Sequence, residues 1–413
     1  MNYILIDNQY FMYKIILKKG KEDIVRRFHP WIFSGAVHST ETGISDGDLV
    51  EVLDYKKNFL AVGYYNNGSI VVRILSFEKT EIDQSFWTNK IQNAYDFRTR
   101  LGLTNSKSTT CYRLIHAEGD GLPGLIVDIY GAVAVIQCHS IGMHRQIEAI
   151  KNALISVFKE QITAIYEKSF ETLHLSIGTP TEQDNSQFEV KNAYIFGKSE
   201  VPVTVSENDC AFAIDWETGQ KTGFFLDQRD NRDLIARYVE GKTVLNAFCY
   251  SGGFSVYALK AGAKSVHSVD ISQKAIDLTD KNVGLNQPFK GTHTSLTADV
   301  LQFLKENKNV YDVMVVDPPA FAKSIAKRHN AVQAYKRLNA MALSQITEGG
   351  ILFTFSCSQV VDRQLFYDTI VAAAIEAGRK VRVMHHLTQP ADHPVNIFHP
   401  EGAYLKGLVL YVE

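Results

Sequence analysis

The feature that most constrains this fold is an alternation of apolar runs and helical patterns that starts near residue 201. Near-continuous apolar runs are typical of strands buried on both faces of a parallel sheet. Helical patterns separate these runs, and Ser272 is placed to cap one of the helices. The alternation predicts an open α/β sheet, in which ligands bind beyond the carboxyl ends of the strands. The candidate strands are KTVLNAF, SVHSVD, YDVMVVD and GILFTFS.

The rest of the chain predicts two further units before this α/β domain at residues 201–413. Residues 12–86 hold short apolar runs separated by Gly, Asn and Asp, which is typical of a small β-barrel. Residues 87–200 begin with a helical pattern, continue as two apolar strands around GDGLPG, and end with a helix and a strand. This order predicts a central α+β unit, and the polar residues 178–187 are expected to form a loop.

Composition excludes several classes of protein. The net charge is −2, from 43 basic and 45 acidic residues, so the chain as a whole lacks the excess of positive charge typical of nucleic-acid-binding domains. The five cysteines include no CxxC pair, which argues against a disulfide framework and against a metal site. No apolar run is long enough to span a membrane, and the first residues lack the layout of a signal peptide. We therefore expect a cytoplasmic protein that uses neither membrane nor metal.

The loop after the first α/β strand has the composition of a cofactor-binding turn. It runs from Asn246 to Gly253 and ends in two glycines, which allow a ligand to approach the backbone closely. Asp270 ends the next strand, where a carboxylate can accept hydrogen bonds from ribose hydroxyls. The missing G-x-G-x-x-G pattern disfavours a dehydrogenase, although structural turns alone also explain the loop. Asp299 follows a third strand and suits either an adenine amino group or a helix N-cap.

Two later strands end in groups that can carry chemistry. Asp317 is followed by Pro318, Pro319, Ala320 and Phe321, and the prolines enforce a rigid turn that holds the carboxylate at the sheet edge. Such a group suits a planar base with an exocyclic amine. Cys357 lies just past the next strand, where a thiol can be exposed, have a lowered pKa and act as a nucleophile. The remaining cysteines are expected to be inert and buried: Cys111, Cys138, Cys210 and Cys249.

The motifs NAFCYSGGFS, SVDIS, DPPAF and TFSCS resemble those of class I S-adenosylmethionine-dependent methyltransferases. More closely, the chain resembles the bacterial 23S ribosomal RNA cytosine-C5 methyltransferases that carry an N-terminal PUA domain. Further matches are HPWIFSGAV, EGDGLPGLIVDIYG, KTGFFLDQRDNRDL, ADHPV and PEGAYLKGL, so the resemblance covers nearly the whole chain. It implies a PUA domain, a central α+β domain and a Rossmann-like methyltransferase domain.

The resemblance also implies roles for particular residues. Cys357 would add to C6 of the target cytosine, and Asp317 would hydrogen-bond its N3/N4 edge. Ala320 stands where the best-known RNA cytosine-C5 enzymes carry a second cysteine, which agrees with the single-cysteine branch. The S-adenosylmethionine site would comprise Asn246, Phe248, Tyr250, Ser251, Gly252, Gly253, Asp270, Asp299, Gln228 and Asp317.

Contacts to ribosomal RNA are expected in three segments. The segment RRFHPWIFSGAV contains Arg26, Arg27 and Trp31, and it is either an RNA-contact edge or, with Phe28, Trp31 and Phe33, part of the barrel core. Arg229 is expected to close over the cofactor or to meet RNA. The third segment follows DPPAF and carries Lys323, Lys327 and Arg328, which suit RNA phosphates or a solvated helix face.

Several alternatives remain open at this point. An N-methyltransferase acting on an exocyclic amine of an RNA purine would also use Asp317, without needing Cys357. A non-catalytic ribosome-assembly factor is a second rival, and the intact cofactor motifs argue against it. Residues 1–11 precede the usual start of the family, so Met12 is a candidate initiator. A homodimer is compatible with the sequence.

Overall fold

The N-terminal part of the chain folds as a six-stranded, mostly antiparallel sheet in a computed structural model that describes residues 12–177, 190–307 and 309–413. Expectations for residues 1–11 and 178–187 lie outside these described ranges. The sheet order is β2-β6-β5-β4-β1-β3, and only the β1–β4 pair is parallel. Its elements are β1 (Tyr13–Leu17), α1 (Asp23–Arg26), β2 (Trp31–Phe33), β3 (Val37–Thr40), β4 (Leu49–Leu53), β5 (Phe59–Tyr65) and β6 (Ile70–Ser76).

The core of this first sheet is aliphatic rather than aromatic. Ile32, Val50 and Val52 are fully buried, whereas Phe28 and Phe33 remain 48% and 40% exposed. The sequence interpretation that placed these two rings in the barrel core was therefore wrong. Burial depends on the face of the strand, and residue type alone does not reveal that face.

The central part forms a five-stranded sheet in the order β11-β10-β9-β8-β7, flanked by helices. The sequence predicted two strands around GDGLPG, but the structure has three, because Gly131 turns the chain with φ +61° between two of them. Asp83 caps the long first helix by accepting from the backbone N–H of Phe86. The elements are α2 (Gln84–Arg100), β7 (Cys111–His116), β8 (Leu125–Tyr130), β9 (Val133–Cys138), α3 (Ile141–Arg145), α4 (Ile147–Phe158), β10 (Ala164–Glu167), α5 (Phe170–Ile177) and β11 (Ala193–Phe196).

The C-terminal part is the predicted α/β sheet, preceded by a hairpin of β12 (Val203–Glu207) and β13 (Cys210–Ile214). The sheet has seven strands, of which the penultimate in sheet order is antiparallel to both neighbours. Its strands are β14 (Thr243–Ala247), β15 (Ser265–Asp270), β16 (Thr292–Thr297), β17 (Tyr311–Val316), β18 (Ile346–Ser356), β19 (Val381–Leu387) and β20 (Lys406–Val412). Its helices are α6 (Arg229–Ile235), α7 (Gly253–Lys260), α8 (Gln273–Leu285), α9 (Val300–Glu306), α10 (Arg328–Gln345) and α11 (Arg363–Glu376).

The strand order β16-β15-β14-β17-β18-β20-β19 fixes where a ligand can bind. The order reverses between β14 and β17, which are paired in parallel. In open α/β sheets the crevice beyond the carboxyl ends of the strands at such a switch point is the usual ligand site. The loops after β14, β15, β17 and β18 all open at this edge, and they carry the predicted cofactor and catalytic residues.

Candidate active site

The loop after β14 has an unusual backbone. Phe248, Tyr250 and Gly252 have φ values of +61°, +46° and +71°, a left-handed conformation that bulky side chains rarely adopt. A Cβ at Gly252 would lie 2.6 Å from Cγ2 of Thr279, so this position requires glycine for space as well as for φ. Strained backbone of this kind is typical of binding sites, where the surrounding fold holds it in place.

Asp270 braces this loop from the end of β15. One carboxylate oxygen accepts from the backbone N–H of Tyr250 at 3.0 Å, and the other accepts from Ser272 N–H at 3.0 Å. Each oxygen has a second lone pair, and the residue is partly exposed, so the carboxylate can still accept from a ligand hydroxyl. Asp270 therefore lies where the sequence predicted it, at the end of its strand beside the glycine turn, and its role in binding ribose stays a prediction.

The other predicted cofactor residues divide into two groups. Asn246 and Ser251 are buried: the Asn246 side chain donates to Ser255 Oγ at 2.8 Å, and the Ser251 carbonyl accepts from Asn282. These contacts are internal, so both residues support the loop. Asp299 is exposed and caps α9 by accepting from Gln302 N–H at 2.9 Å. Asp299 is thus a helix N-cap, which was one of the two roles the sequence suggested. It lies at the same edge of the sheet as the cofactor loop.

Asp317 is held at the end of β17 by an oriented amide. Gln228 Nε2 donates to Asp317 Oδ2 at 2.9 Å, while Asn231 donates to the Gln228 oxygen and so fixes which way the amide points. Burial, reinforced by the negative charge of Asp227, raises the pKa of Asp317 to about 7. A carboxyl with this pKa exchanges a proton near neutral pH, so it can donate a hydrogen bond as well as accept one.

Cys357 is the one cysteine of the described residues that is not buried; the other four are, as predicted. Burial, followed by the negative charge of Asp317, raises its pKa, so the expectation of a lowered pKa was wrong. The loop around the thiol is tied to the loop that follows Asp317, since Ser358 Oγ donates to the Ala322 carbonyl at 2.6 Å. Lys406 Nζ donates to the Ser358 carbonyl at 2.8 Å, and burial lowers the pKa of this lysine to about 8.

Arg229 is 4% exposed, which leaves no guanidinium surface for an RNA phosphate. Its Nη2 donates to Asp392 Oδ2 at 2.7 Å, and its Nε lies 3.7 Å from Glu207 Oε2. Arg232 makes a two-point ion pair with the same glutamate. The RNA role expected for Arg229 is therefore replaced by a structural one, which ties α6 to the hairpin and to the C-terminal segment.

The N-terminal candidates for RNA contact have different surroundings. Arg26 is 58% exposed and lies 3.5 Å from Asp54, and Arg27 is exposed. Trp31 is partly buried against two residues from later parts of the chain. Its indole N–H donates to Glu118 at 2.8 Å, and the centre of its ring lies 4.3 Å from the centre of the His399 ring. Trp31 therefore connects the first sheet to the rest of the molecule.

A second basic surface follows the Asp317 loop. Lys323, Lys327 and Arg328 are all exposed, and Arg328 begins α10. They lie within about a dozen residues of Asp317 along the chain, so this surface is close in sequence to the candidate catalytic carboxyl. The geometry agrees with a solvated surface that is free to meet phosphates.

The sequence pattern did not identify four residues that the structure places in the site: Lys221, Asp227, Tyr404 and Lys406. Asp227 is buried and accepts from the Tyr404 hydroxyl at 2.6 Å. Burial would raise the pKa of Asp227, but nearby charges hold it well below its usual range, and the positive charge of Lys221 contributes most to this lowering. The position of Asp227 next to Gln228 within FLDQR was the available clue.

The arrangement fits S-adenosylmethionine, the cofactor that the motifs imply. The carboxylate of Asp270 retains lone pairs for ribose hydroxyls, and the loop glycines leave room for a ligand against the backbone. A sulfonium cofactor has no phosphate and needs no phosphate-binding glycine pattern. Within the described ranges, no group of three or more His, Cys, Asp or Glu residues is arranged to hold a metal ion. No helix of the described part of the chain is long and apolar enough to cross a membrane.

Comparison with known proteins agrees with this geometry. Residues 15–77 match the family model of a PUA-like domain, and residues 170–409 match that of an S-adenosylmethionine-dependent methyltransferase. A solved Streptococcus mutans protein assigned to the SAM-dependent methyltransferases has a TM-score of 0.81 at 23% identity and covers 97% of this chain and 100% of its own. A methyltransferase solved in complex with SAH gives 0.82 at 23% identity with the same coverage. These two similarities establish the fold.

Relatives with curated names are more similar in sequence. The ribosomal RNA large subunit methyltransferase I of Aeromonas hydrophila is 40% identical over 407 residues, which is 96% of this chain and 98% of the relative. The protein of the same name from Escherichia coli is 38% identical over 404 residues, or 97% and 99% of the two chains. This chain therefore belongs to the S-adenosylmethionine-dependent methyltransferase family that includes these PUA-domain enzymes, and S-adenosylmethionine is its cofactor.

Proposed function

We propose that this enzyme methylates C5 of a cytosine in 23S ribosomal RNA through a covalent bond between Cys357 and C6 of the base. The observation that carries the proposal is the placement of a partly exposed cysteine and a carboxyl with a pKa of about 7 on neighbouring strand ends. Both groups lie beside the switch point of the sheet, at the edge where the cofactor loop opens. The names of the curated relatives support ribosomal RNA as the substrate.

Cytosine C5 is a poor nucleophile, so carbon methylation requires activation of the ring. In the proposed reaction the Cys357 thiolate forms a bond to C6, and the C5–C6 double bond then supplies electrons at C5. C5 would then bond to the electrophilic methyl group that the sulfonium of the bound cofactor supplies, and the methyl–sulfur bond would break. A base then removes the C5 proton, the C6–S bond breaks, and Cys357 leaves as the thiolate.

Asp317 is assigned to the N3/N4 edge of the base. Its pKa of about 7 keeps a proton available at neutral pH, which it can donate toward N3 while negative charge develops on addition of the thiol. A preorganised donor of this kind stabilises a transition state by about 2–4 kcal/mol. Gln228 is assigned to the orientation of Asp317 rather than to direct contact with the cofactor, because its amide is already engaged. A paired target base must first leave the stack.

We assign RNA contact to Arg26, Arg27, Lys323, Lys327 and Arg328, which are all exposed. Exposed Phe28 and Phe33 join the first group as candidate stacking surfaces. We further propose domain units at 12–86, 87–200 and 201–413, a cytoplasmic location and assembly as a homodimer.

The test is incubation with S-adenosylmethionine and 23S ribosomal RNA from cells that lack the enzyme, followed by mass spectrometry of the nucleosides. We expect one new 5-methylcytosine, which disappears in Cys357→Ala and persists in the matched variant Cys138→Ala. Cofactor binding by both variants serves as the control for folding. A methylated purine amine, or full activity of Cys357→Ala, would instead favour the N-methyltransferase, for which Asp317-Pro318-Pro319-Ala320-Phe321 is also suited.

A further inference from the structure

An ion pair that belongs to none of the cofactor motifs lies next to the cofactor loop. Lys221 Nζ lies 3.4 Å from Asp227 Oδ2, which also accepts from the Tyr404 hydroxyl at 2.6 Å. The other carboxylate oxygen of Asp227 is buried, and no residue in the described part of the chain gives it a hydrogen-bond donor. Asp227 is ionised, since nearby charges outweigh the effect of burial on its pKa. A buried charged oxygen without a donor is costly, which indicates that a bound molecule supplies one.

The Lys221 ammonium is held in place and still accessible. Its Nζ lies 4.3 Å from the centre of the Phe225 ring, over the face that attracts cations, and the side chain is 46% exposed. Among the described contacts, Asp227 takes one of the three N–H donors, which leaves two for a ligand. The backbone at Lys221 has a φ of +50°, which is costly for a residue with a side chain. The pair therefore presents a carboxylate oxygen and ammonium donors side by side.

Direct contacts join the segment 220–228 to two sides of the site. Gln220 N–H donates to the Tyr250 hydroxyl at 3.1 Å, and the Phe225 ring packs edge-on against the Tyr250 ring with 4.9 Å between their centres. Tyr250 belongs to the cofactor loop after β14. At the other end of the segment, Gln228 donates to Asp317 after β17 at 2.9 Å. The ion pair lies between these two anchors in the chain and therefore beside the gap between β14 and β17.

The strand order places one end of the cofactor at this gap. Along the sheet edge the order is β15-β14-β17-β18, and neighbouring strands of a sheet lie about 4.8 Å apart. Asp270, the candidate ribose ligand, follows β15, whereas Asp317 and Cys357 follow β17 and β18. The sulfonium must lie on the side of the catalytic groups, so the amino-acid end attached to it falls near β14 and β17. That end is a zwitterion with one ammonium group and one carboxylate group.

We propose that Lys221 and Asp227 bind the amino-acid end of S-adenosylmethionine. In this assignment the ammonium of the cofactor donates to the unpartnered oxygen of Asp227, and Lys221 Nζ donates to the carboxylate of the cofactor. The two charged groups of the ligand thus pair with the two charged groups of the protein through charge-assisted hydrogen bonds. The strained backbone at Lys221 serves to position one of these groups, as strained backbone does at other binding sites.

The test is calorimetric binding of three ligands to the full-length protein without RNA. S-adenosylmethionine has both charged groups of the amino-acid end, decarboxylated S-adenosylmethionine keeps only the ammonium, and 5′-methylthioadenosine has neither. Lys221→Gln and Asp227→Asn should each weaken S-adenosylmethionine binding at least about tenfold, because a charged hydrogen bond is lost. Neither substitution should weaken the binding of 5′-methylthioadenosine. The control Lys264→Gln changes an exposed lysine before β15 and should leave all three affinities unchanged.

Decarboxylated S-adenosylmethionine separates the two contacts. Lys221→Gln should not weaken its binding, because the carboxylate is absent, whereas Asp227→Asn should weaken it about as strongly as it weakens S-adenosylmethionine. Unchanged S-adenosylmethionine affinity in either variant overturns the proposal. An equal loss of affinity for all three ligands also overturns it, since that result means general damage to the site. These ligands bind without RNA and without methyl transfer, so failure of the proposed function leaves the result distinguishable.

Discussion

Replacing Asp317 with asparagine should make the protein more stable at pH 8 while abolishing methylation. The active carboxyl has a pKa of about 7 instead of 3.8, so its ionised form is disfavoured in the folded state. At 1.36 kcal/mol per pH unit, holding the ionised group in this site costs about 4 kcal/mol of folding free energy. Asparagine has nearly the same shape and can still accept from Gln228, so it removes the cost and keeps the contact.

The sign of the pH dependence follows from linkage. The folded state retains the Asp317 proton between pH 3.8 and 7, where the unfolded chain has lost it, so stability falls as pH rises through this window. Between pH 5 and pH 8 this contribution decreases by about 2–3 kcal/mol, and it is constant at higher pH.

The assay is urea unfolding of wild type and Asp317→Asn at pH 5 and pH 8. Other titrating groups are common to both proteins and cancel in the difference between them. We expect the advantage of the asparagine variant to grow by about 2–3 kcal/mol from pH 5 to pH 8. A difference that stays constant between the two pH values would refute the claim that the site keeps Asp317 protonated near neutrality.

Further predictions concern the scaffold, the cofactor and the RNA. Among the described residues, Arg229→Met removes the only guanidinium that pairs with the buried Asp392 carboxylate and one of the two beside Glu207, so the unfolding free energy in urea should fall by about 3–5 kcal/mol, against less than about 1 kcal/mol for the exposed control Arg26→Met. Asp270→Ala should weaken S-adenosylmethionine binding at least about tenfold by calorimetry, because a charged hydrogen bond is lost; an unchanged affinity would remove it from the cofactor site. Lys327→Ala should weaken RNA binding equally for all sequences and lower the salt dependence by about one ion, with cofactor affinity unchanged.

Local patterns predicted the scaffold of the site well. Ser272 caps α8 as expected, and Asp270 ends its strand beside the glycine turn. These features depend on residues near each other in sequence, where spacing carries the information. The strand ends that present Asp317 and Cys357 were predictable for the same reason, since buried parallel strands have a distinctive composition.

Contacts between distant segments were not predictable from the pattern. Arg229 meets Asp392 across 163 residues, and Tyr404 meets Asp227 across 177. The sequence pattern of an arginine in a polar motif is the same whether the side chain is exposed or buried in an ion pair, so Arg229 was expected to close over the cofactor or to meet RNA. The sign of the pKa shift of Cys357 depends on burial and on Asp317, which local sequence does not reveal.

The covalent bond between Cys357 and the target base is the central claim, and trapping it is the most direct test. RNA that carries 5-fluorocytidine has no C5 proton to lose, so the reaction should stop after methyl transfer with the C6–S bond intact. With S-adenosylmethionine present, wild type should form a denaturation-resistant complex whose cross-linked peptide contains Cys357, and Cys357→Ala should form none. An active wild-type enzyme that gives no complex, or a Cys357→Ala protein that still gives one, would contradict the account.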